Sequence, residues 1–234
     1  MVQPTPSATK IMIIRHAEKP DDPAEKPDDD VEQPDDGAEK PDDPAQKPDH
    51  TKPPYGVNSD GVGDAESLTV QGWQRAGALA TFFDPSCGPL QDPHLATPQF
   101  IYASKAVSHT GSDSMRPQET VTPLINKLDL DPSCINFSFQ KGEEDLVAQS
   151  ALARPGVVLI CWEHKNLLAI VQGILKNQPE TQPIPKKWPG SHYDLVWIFD
   201  WNASTRMYDF SQIPQLLLAG DTPITDKLLK NEGL

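Results

Sequence analysis

Cysteine is scarce in this 234-residue chain: Cys87, Cys134 and Cys161 are an odd number with no C-x-x-C spacing. That pattern excludes a disulfide-stapled scaffold and fits reduced, buried thiols in a cytoplasm. Long apolar runs are missing as well, and none approaches the roughly 20 residues that span a bilayer. No positively charged stretch followed by an apolar segment opens the chain. A soluble, cytoplasmic protein with no membrane partner is expected. A basic stripe is absent, which excludes nucleic acid as a partner. His50, His94, His109 and His192 show no ligand spacing, so neither a metal site nor any other cofactor is expected.

What the chain has in excess is acid, and most of it is local. The net charge is −14, yet between Glu18 and Asp49 fourteen acidic residues stand against four lysines and carry −10 of that total. The same stretch is periodic. "EKPDD" begins at Glu18, Glu25 and Glu39, "EQPDD" at Glu32 and "QKPDH" at Gln46, each start seven residues after the last. A coiled coil is excluded because proline, once per heptad, removes a helical hydrogen bond and clashes with the preceding turn. A solenoid is excluded because the repeat has no apolar face to bury. Residues 20–54 are expected to form an extended, polyproline-like or disordered insertion. It interrupts a single domain spanning residues 1–234.

Around that insertion the pattern is regular. "KIMIIR", residues 10–15, is an apolar, β-branched run that ends in charge, as a buried parallel strand does where it delivers side chains to a site. "LTVQGWQRAGALATFF" places Val70, Trp73, Ala76, Gly77, Ala80 and Phe83 on one helical face, with Thr69 available as the cap. "QFIYAS" reads as the second strand. A helix beginning near Arg116 carries Val121, Leu124, Ile125 and Leu128 at i, i+3, i+4 and i+7. "INFSF" alternates as a strand, "GEEDLVAQSALA" is a short helix, "GVVLICW" is a buried strand, and "KNLLAIVQGILK" follows as a helix. "YDLVWIFDWN" and "RMYDF" form a closing hairpin at the sheet edge. Strands alternating with helices predict a three-layer α/β/α sandwich around a mostly parallel sheet. Trp73, Trp162 and Trp197 are read as core residues.

Three polar clusters fall at or just beyond the carboxyl ends of predicted strands, where open α/β sheets bind ligands: Arg15-His16, Arg116, and Glu163-His164. Together they describe an anion site. The two guanidiniums offer forked donors that match phosphate oxygens, and the two imidazoles offer a nucleophile and a further donor.

With these motifs in order, the chain resembles the histidine phosphatase superfamily, in its phosphoglycerate mutase-like branch. "IMIIRHAEKP" is similar to that family's strand ending in Arg-His-Gly-Glu, and "SLTVQGWQRAGALA" to its first helix. "YAS" followed by "SMRPQETVTPL" resembles its central arginine segment, and "VVLICWEHKNLLAIVQGIL" resembles its second-histidine strand and helix. The likeness covers residues 10–15 and 67–175. It implies a phosphohistidine mechanism with His16 as nucleophile and Arg15, Arg116 and His164 binding the phosphoryl oxygens. A carboxylic acid must serve the leaving group. Glu144 is favoured over Glu143 and Glu163, and a first-turn carboxylate stabilised by the helix dipole is the structural alternative. Lys19 reads as a solvated loop lysine ahead of a further cation in the pocket.

The chain departs from the family pattern at three points. Ala17 replaces a glycine, which requires a negative φ there. The family's asparagine after the first motif is missing where the acidic repeat begins. The loop before Arg116 is lengthened by "VSHTGSDS", residues 107–114.

The expected function is a phosphomonoesterase acting on a small phosphorylated substrate or a phosphoprotein. The alternatives are a mutase-like phosphotransferase and a non-catalytic phospho-ligand scaffold. A mutase must keep water from the phosphohistidine, and no segment is obviously fit for that.

Overall fold

The apolar run near the start of the chain lies in the middle of the sheet. The computed structural model describes residues 6–20, 54–106, 114–179 and 184–223. In it, β1 (Ala8–Arg15) pairs in parallel with β4 (Gly156–Trp162) and antiparallel with β5 (Leu195–Asn202). With β2 (Phe100–Ala103), β3 (Ile135–Asn136) and β6 (Met207–Pro214) the sheet has six strands in the order β3-β2-β4-β1-β5-β6. The first four strands run parallel, and β5–β6 is the antiparallel hairpin that the sequence predicts at the edge.

Period-two alternation along β1 divides the core. Ile11 and Ile13 pack on the face covered by α3 (Glu144–Leu152) and α4 (Leu167–Leu175), among Val147, Ala151, Leu167 and Ile170. Met12 and Ile14 pack on the opposite face, under α1 (Val70–Phe83) and α2 (Arg116–Leu128), among Leu79, Phe83, Val121 and Leu124. All of these side chains are essentially inaccessible. Each large one contributes roughly 1.5–3 kcal/mol of apolar burial, and together they hold the three layers in register. No helix among the described residues is long and apolar enough to cross a membrane.

Several details differ from the sequence reading. Thr69 does cap α1, its hydroxyl accepting from the Gly72 N–H at 3.1 Å, and Ala76, Ala80 and Phe83 of the expected face are buried, but Val70 is 63% exposed and the buried face extends to Gly72, Arg75 and Leu79. The cause is the chain after β1. A Cβ on Gly72 would sit 2.4 Å from the Glu18 carbonyl oxygen, so only glycine lets the two backbones meet there. One turn on, Arg75 pairs with Glu18 at 2.8 Å and Asp221 at 2.6 Å, which makes a charged residue an interior one.

"INFSF" yields only the two-residue β3. Cys161 is buried, but Cys134 is half-buried and Cys87 is exposed, the latter in the polar loop that follows α1 rather than in the core. Apart from Pro20 and Pro54, the acidic insertion lies outside the described residues, as do His50, His109 and most of residues 107–114.

Candidate active site

Neighbouring strands β1 and β4 send their following helices to opposite faces, α1 to one and α4 to the other. A crevice therefore opens beyond their carboxyl ends, as at any switch point of an open α/β sheet. A small pocket of about 40 Å³ lies there. His16 and Lys19 reach it from the end of β1, and Ser104 and Lys105 from the end of β2. Lys141 comes from the loop before α3, Glu163 and His164 from the end of β4, and Arg116 from the first position of α2.

The turn that carries His16 is pinned at three successive residues. The His16 N–H donates to the Trp162 carbonyl at 3.1 Å, and the Ala17 N–H to the Thr120 hydroxyl at 2.9 Å. The Glu18 carbonyl accepts from the Thr69 N–H at 3.0 Å. Ala17 packs in a small apolar cluster with Leu68 and Ala76. Positive φ among the described non-glycine residues is confined to Asp129, Arg206 and Leu216, so Ala17 satisfies the condition set by the loss of glycine.

The ring of His16 is 2.8 Å from its neighbour's carbonyl, Nδ1 to Ala17 O. A carbonyl oxygen only accepts, so Nδ1 carries the hydrogen and Nε2 keeps its lone pair. Burial pushes the ring well below the usual histidine range. The charge of Arg15 adds to this, the Ala17 carbonyl opposes it, and Arg116 and His164 add smaller depressions. The side chain is thus a neutral imidazole with its orientation fixed through Nδ1.

Arg116 is aimed by main-chain oxygens. Its Nη2 donates to the Ala65 carbonyl and its Nε to the Ser67 carbonyl at 3.4 Å, with Glu66 3.7 Å away. The loop supplying those carbonyls is fixed by Glu119, which accepts from the Ser67 hydroxyl at 2.7 Å and the Leu68 N–H at 2.8 Å. Burial raises the carboxyl of Glu119, and these two hydrogen bonds offset part of that rise. His164 opens a turn of 3-10 helix, His164–Asn166, that joins β4 to α4, and its side chain is buried against the pocket.

Of the residues singled out in the sequence, the structure brings His16, Arg116, His164 and Glu163 together. It also brings Lys19, set aside there as a loop lysine, into the wall. Arg15 is not among the residues that line this pocket. Its guanidinium sits 3.9 Å from the centre of the Tyr193 ring, bonds the Tyr193 hydroxyl at 3.2 Å and donates to the Gly190 carbonyl. Glu144 is also outside the lining. It is buried at the start of α3 and accepts from the Trp162 indole at 3.2 Å and the Gly142 N–H at 3.1 Å. Glu143 accepts from the Gln140 N–H at 2.9 Å. Among the described residues, Glu163 is the carboxyl group in the wall, and it pairs with Lys141.

Lys105, Lys141 and Tyr193 were not singled out in the sequence. Each is one polar residue in a loop with no periodicity to mark it, and only the closing of loops around β1 and β4 gathers them. His94 is exposed, and His192 pairs with Asp194 at 2.8 Å. Among the described residues no group of three His, Cys, Asp or Glu side chains is arranged to hold a metal ion.

The chain matches no family model and no curated protein.

Proposed function

We propose that the protein is a phosphomonoesterase that works through a phosphohistidine on His16. The observation that carries this reading is the state of that ring. It is neutral and buried, with Nδ1–H held by the Ala17 carbonyl, in the wall of a pocket it shares with Arg116 and His164. Cations surround the place where a phosphoryl group would lie: Lys19, Lys105, Arg116 and Lys141.

In the first step Nε2 of His16 forms a bond to phosphorus as the bond to the leaving oxygen breaks. The leaving alkoxide takes a proton from Glu163. In the second step water attacks phosphorus and yields its proton to Glu163. The P–N bond breaks, releasing phosphate and neutral His16. Lys141 pairs with Glu163 at the pocket wall. Arg116 and His164 stabilise the equatorial oxygens as charge redistributes, and donors preorganised in this way contribute roughly 2–4 kcal/mol each. Arg15 acts on His16 through its charge, which favours the neutral ring.

The test is phosphate release from a panel of phosphomonoesters by the wild-type chain and by His16→Ala. The expected result is turnover in the wild type and less than a tenth of it in the variant, with the fold intact. Exchange of phosphate between two positions of one substrate would identify a phosphotransferase instead. A wild-type chain that binds phosphorylated ligands without releasing phosphate would identify a scaffold.

A further inference from the structure

His16 and Arg116 reach the pocket from elements far apart in the chain, the turn after β1 and the first position of α2. The Thr120 side chain bonds the backbone at both places. It is completely buried, one turn into α2. Its hydroxyl donates to the Arg116 carbonyl at 2.7 Å and accepts from the Ala17 N–H at 2.9 Å. The two roles cannot be exchanged. A carbonyl oxygen only accepts and an amide N–H only donates, so the single hydroxyl hydrogen faces Arg116 and a lone pair faces Ala17.

The bond back along the helix is ordinary by itself, since Thr122 makes the same one to the Gln118 carbonyl at 2.8 Å. What sets Thr120 apart is the second contact and what depends on it. The Ala17 carbonyl holds the hydrogen on Nδ1 of His16. The residue whose N–H is fixed by Thr120 is therefore the one that orients the ring. The preceding residue, Glu119, holds the loop whose Ala65 and Ser67 carbonyls aim the Arg116 guanidinium. The Thr120 hydroxyl is also a hydrogen-bond partner of the buried Cys161 thiol in β4. Cys161 directly precedes Trp162, whose carbonyl accepts the His16 N–H. The elements that carry or lead into His16, Arg116 and His164 thus meet at one oxygen atom.

We propose that Thr120 is a positioning residue that fastens the His16 turn to the start of α2, so that the imidazole and the Arg116 guanidinium face one phosphoryl group together. It touches no substrate and acts through Ala17 and Arg116. The proposal deepens the phosphomonoesterase reading and rests on it for turnover, but the orientation of the ring is measurable without a substrate.

Two variants separate positioning from packing. Thr120→Val keeps the branched shape and removes the hydroxyl, which leaves the buried Ala17 N–H without its acceptor. Thr120→Ser keeps the hydroxyl and removes a methyl group from a packed site. Packing alone would make serine the more harmful change, and positioning makes it valine. With a phosphomonoester that the wild type hydrolyses, Thr120→Val should lower kcat by about 10–100-fold and leave KM within about twofold, because the loss falls on alignment in the transition state. Thr120→Ser should keep at least about half of the wild-type kcat.

Nitrogen-15 NMR of the imidazoles reads the ring itself, with His16→Ala identifying its signals. Wild type and Thr120→Ser should carry the hydrogen on Nδ1 of His16, and in Thr120→Val it should move in part to Nε2. If the wild type releases no phosphate, the phosphomonoesterase reading fails and the ring measurement alone decides the role of Thr120. A His16 tautomer unchanged in Thr120→Val would overturn the proposal. The serine arm stands even if the valine chain does not fold: a folded Thr120→Ser whose kcat lies more than about tenfold below wild type would overturn it as well.

Discussion

Lowering the pH below 6.5 should destabilise this protein through His16, and the size of the effect follows from its surroundings. In the unfolded chain the imidazole takes up a proton at its ordinary value near 6.5. In the folded chain burial, with the charge of Arg15 behind it, holds the ring neutral to a value well below that. Between the two values the unfolded state binds one proton more than the folded state, so stability rises with pH across this window and falls as pH drops. The slope is about 1.4 kcal/mol per pH unit while the difference lasts. Glu119 acts in the opposite sense. Its folded value is raised, so just above 4.5 the folded state binds the extra proton and part of the slope is offset. A difference measurement separates the two. Urea unfolding of the wild type and of His16→Asn at pH 6.5, 6.0 and 5.5 should show the wild type losing ground to the variant by about 1 kcal/mol from pH 6.5 to pH 5.5. Identical pH dependences in the two proteins would mean that the His16 ring is hydrated or charged in the fold, and the case for a neutral nucleophile would collapse.

Other expectations follow from the same geometry. Arg116→Lys keeps the charge but loses the forked donors that the Ala65 and Ser67 carbonyls orient. Stopped-flow phosphate release should show a kcat lowered on the order of 10²-fold, and a change confined to KM would reduce Arg116 to a docking residue. Arg75→Met leaves the carboxylates of Glu18 and Asp221 without their buried partner, and denaturant unfolding should register a loss of about 3–5 kcal/mol; a loss under 1 kcal/mol would show that these groups rehydrate freely. Replacing residues 21–54 by a short Gly-Ser linker removes thirteen carboxylates and four lysines from a segment that joins the chain two residues after Lys19 in the pocket wall. Steady-state assays should show kcat nearly unchanged and kcat/KM for dianionic substrates raised several-fold at 10 mM salt, with the gain gone by about 0.5 M; no change at 10 mM would make the repeat a bystander.

The sheet was legible because its evidence is local. The apolar run of β1, the buried run of β4 and the Thr69 cap are contiguous in sequence and answer to short-range rules. The interior place of Arg75 on α1 was not legible, since Glu18 and Asp221 reach it from 57 and 146 residues away. The candidate site divides in the same way. His16, Arg116 and His164 each sit beside a recognisable strand end or helix start, and the sequence names them. The direction of a side chain is set by tertiary contacts, as when Tyr193 and Gly190 hold the Arg15 guanidinium and Trp162 engages Glu144 from the end of β4. The lysines are the extreme case. Nothing in the sequence relates Lys105 to Lys141 until the loops close around the sheet.

The central claim is that His16 carries the phosphoryl group. Rapid mixing of the wild-type chain with a ³²P-labelled phosphomonoester, quenching under alkaline denaturing conditions and mass spectrometry of the digested peptides test it directly. The account predicts acid-labile, alkali-stable phosphate on His16, formed at a rate no slower than turnover and absent from His16→Ala. Turnover without any phosphate on His16, or label on another residue, would contradict it.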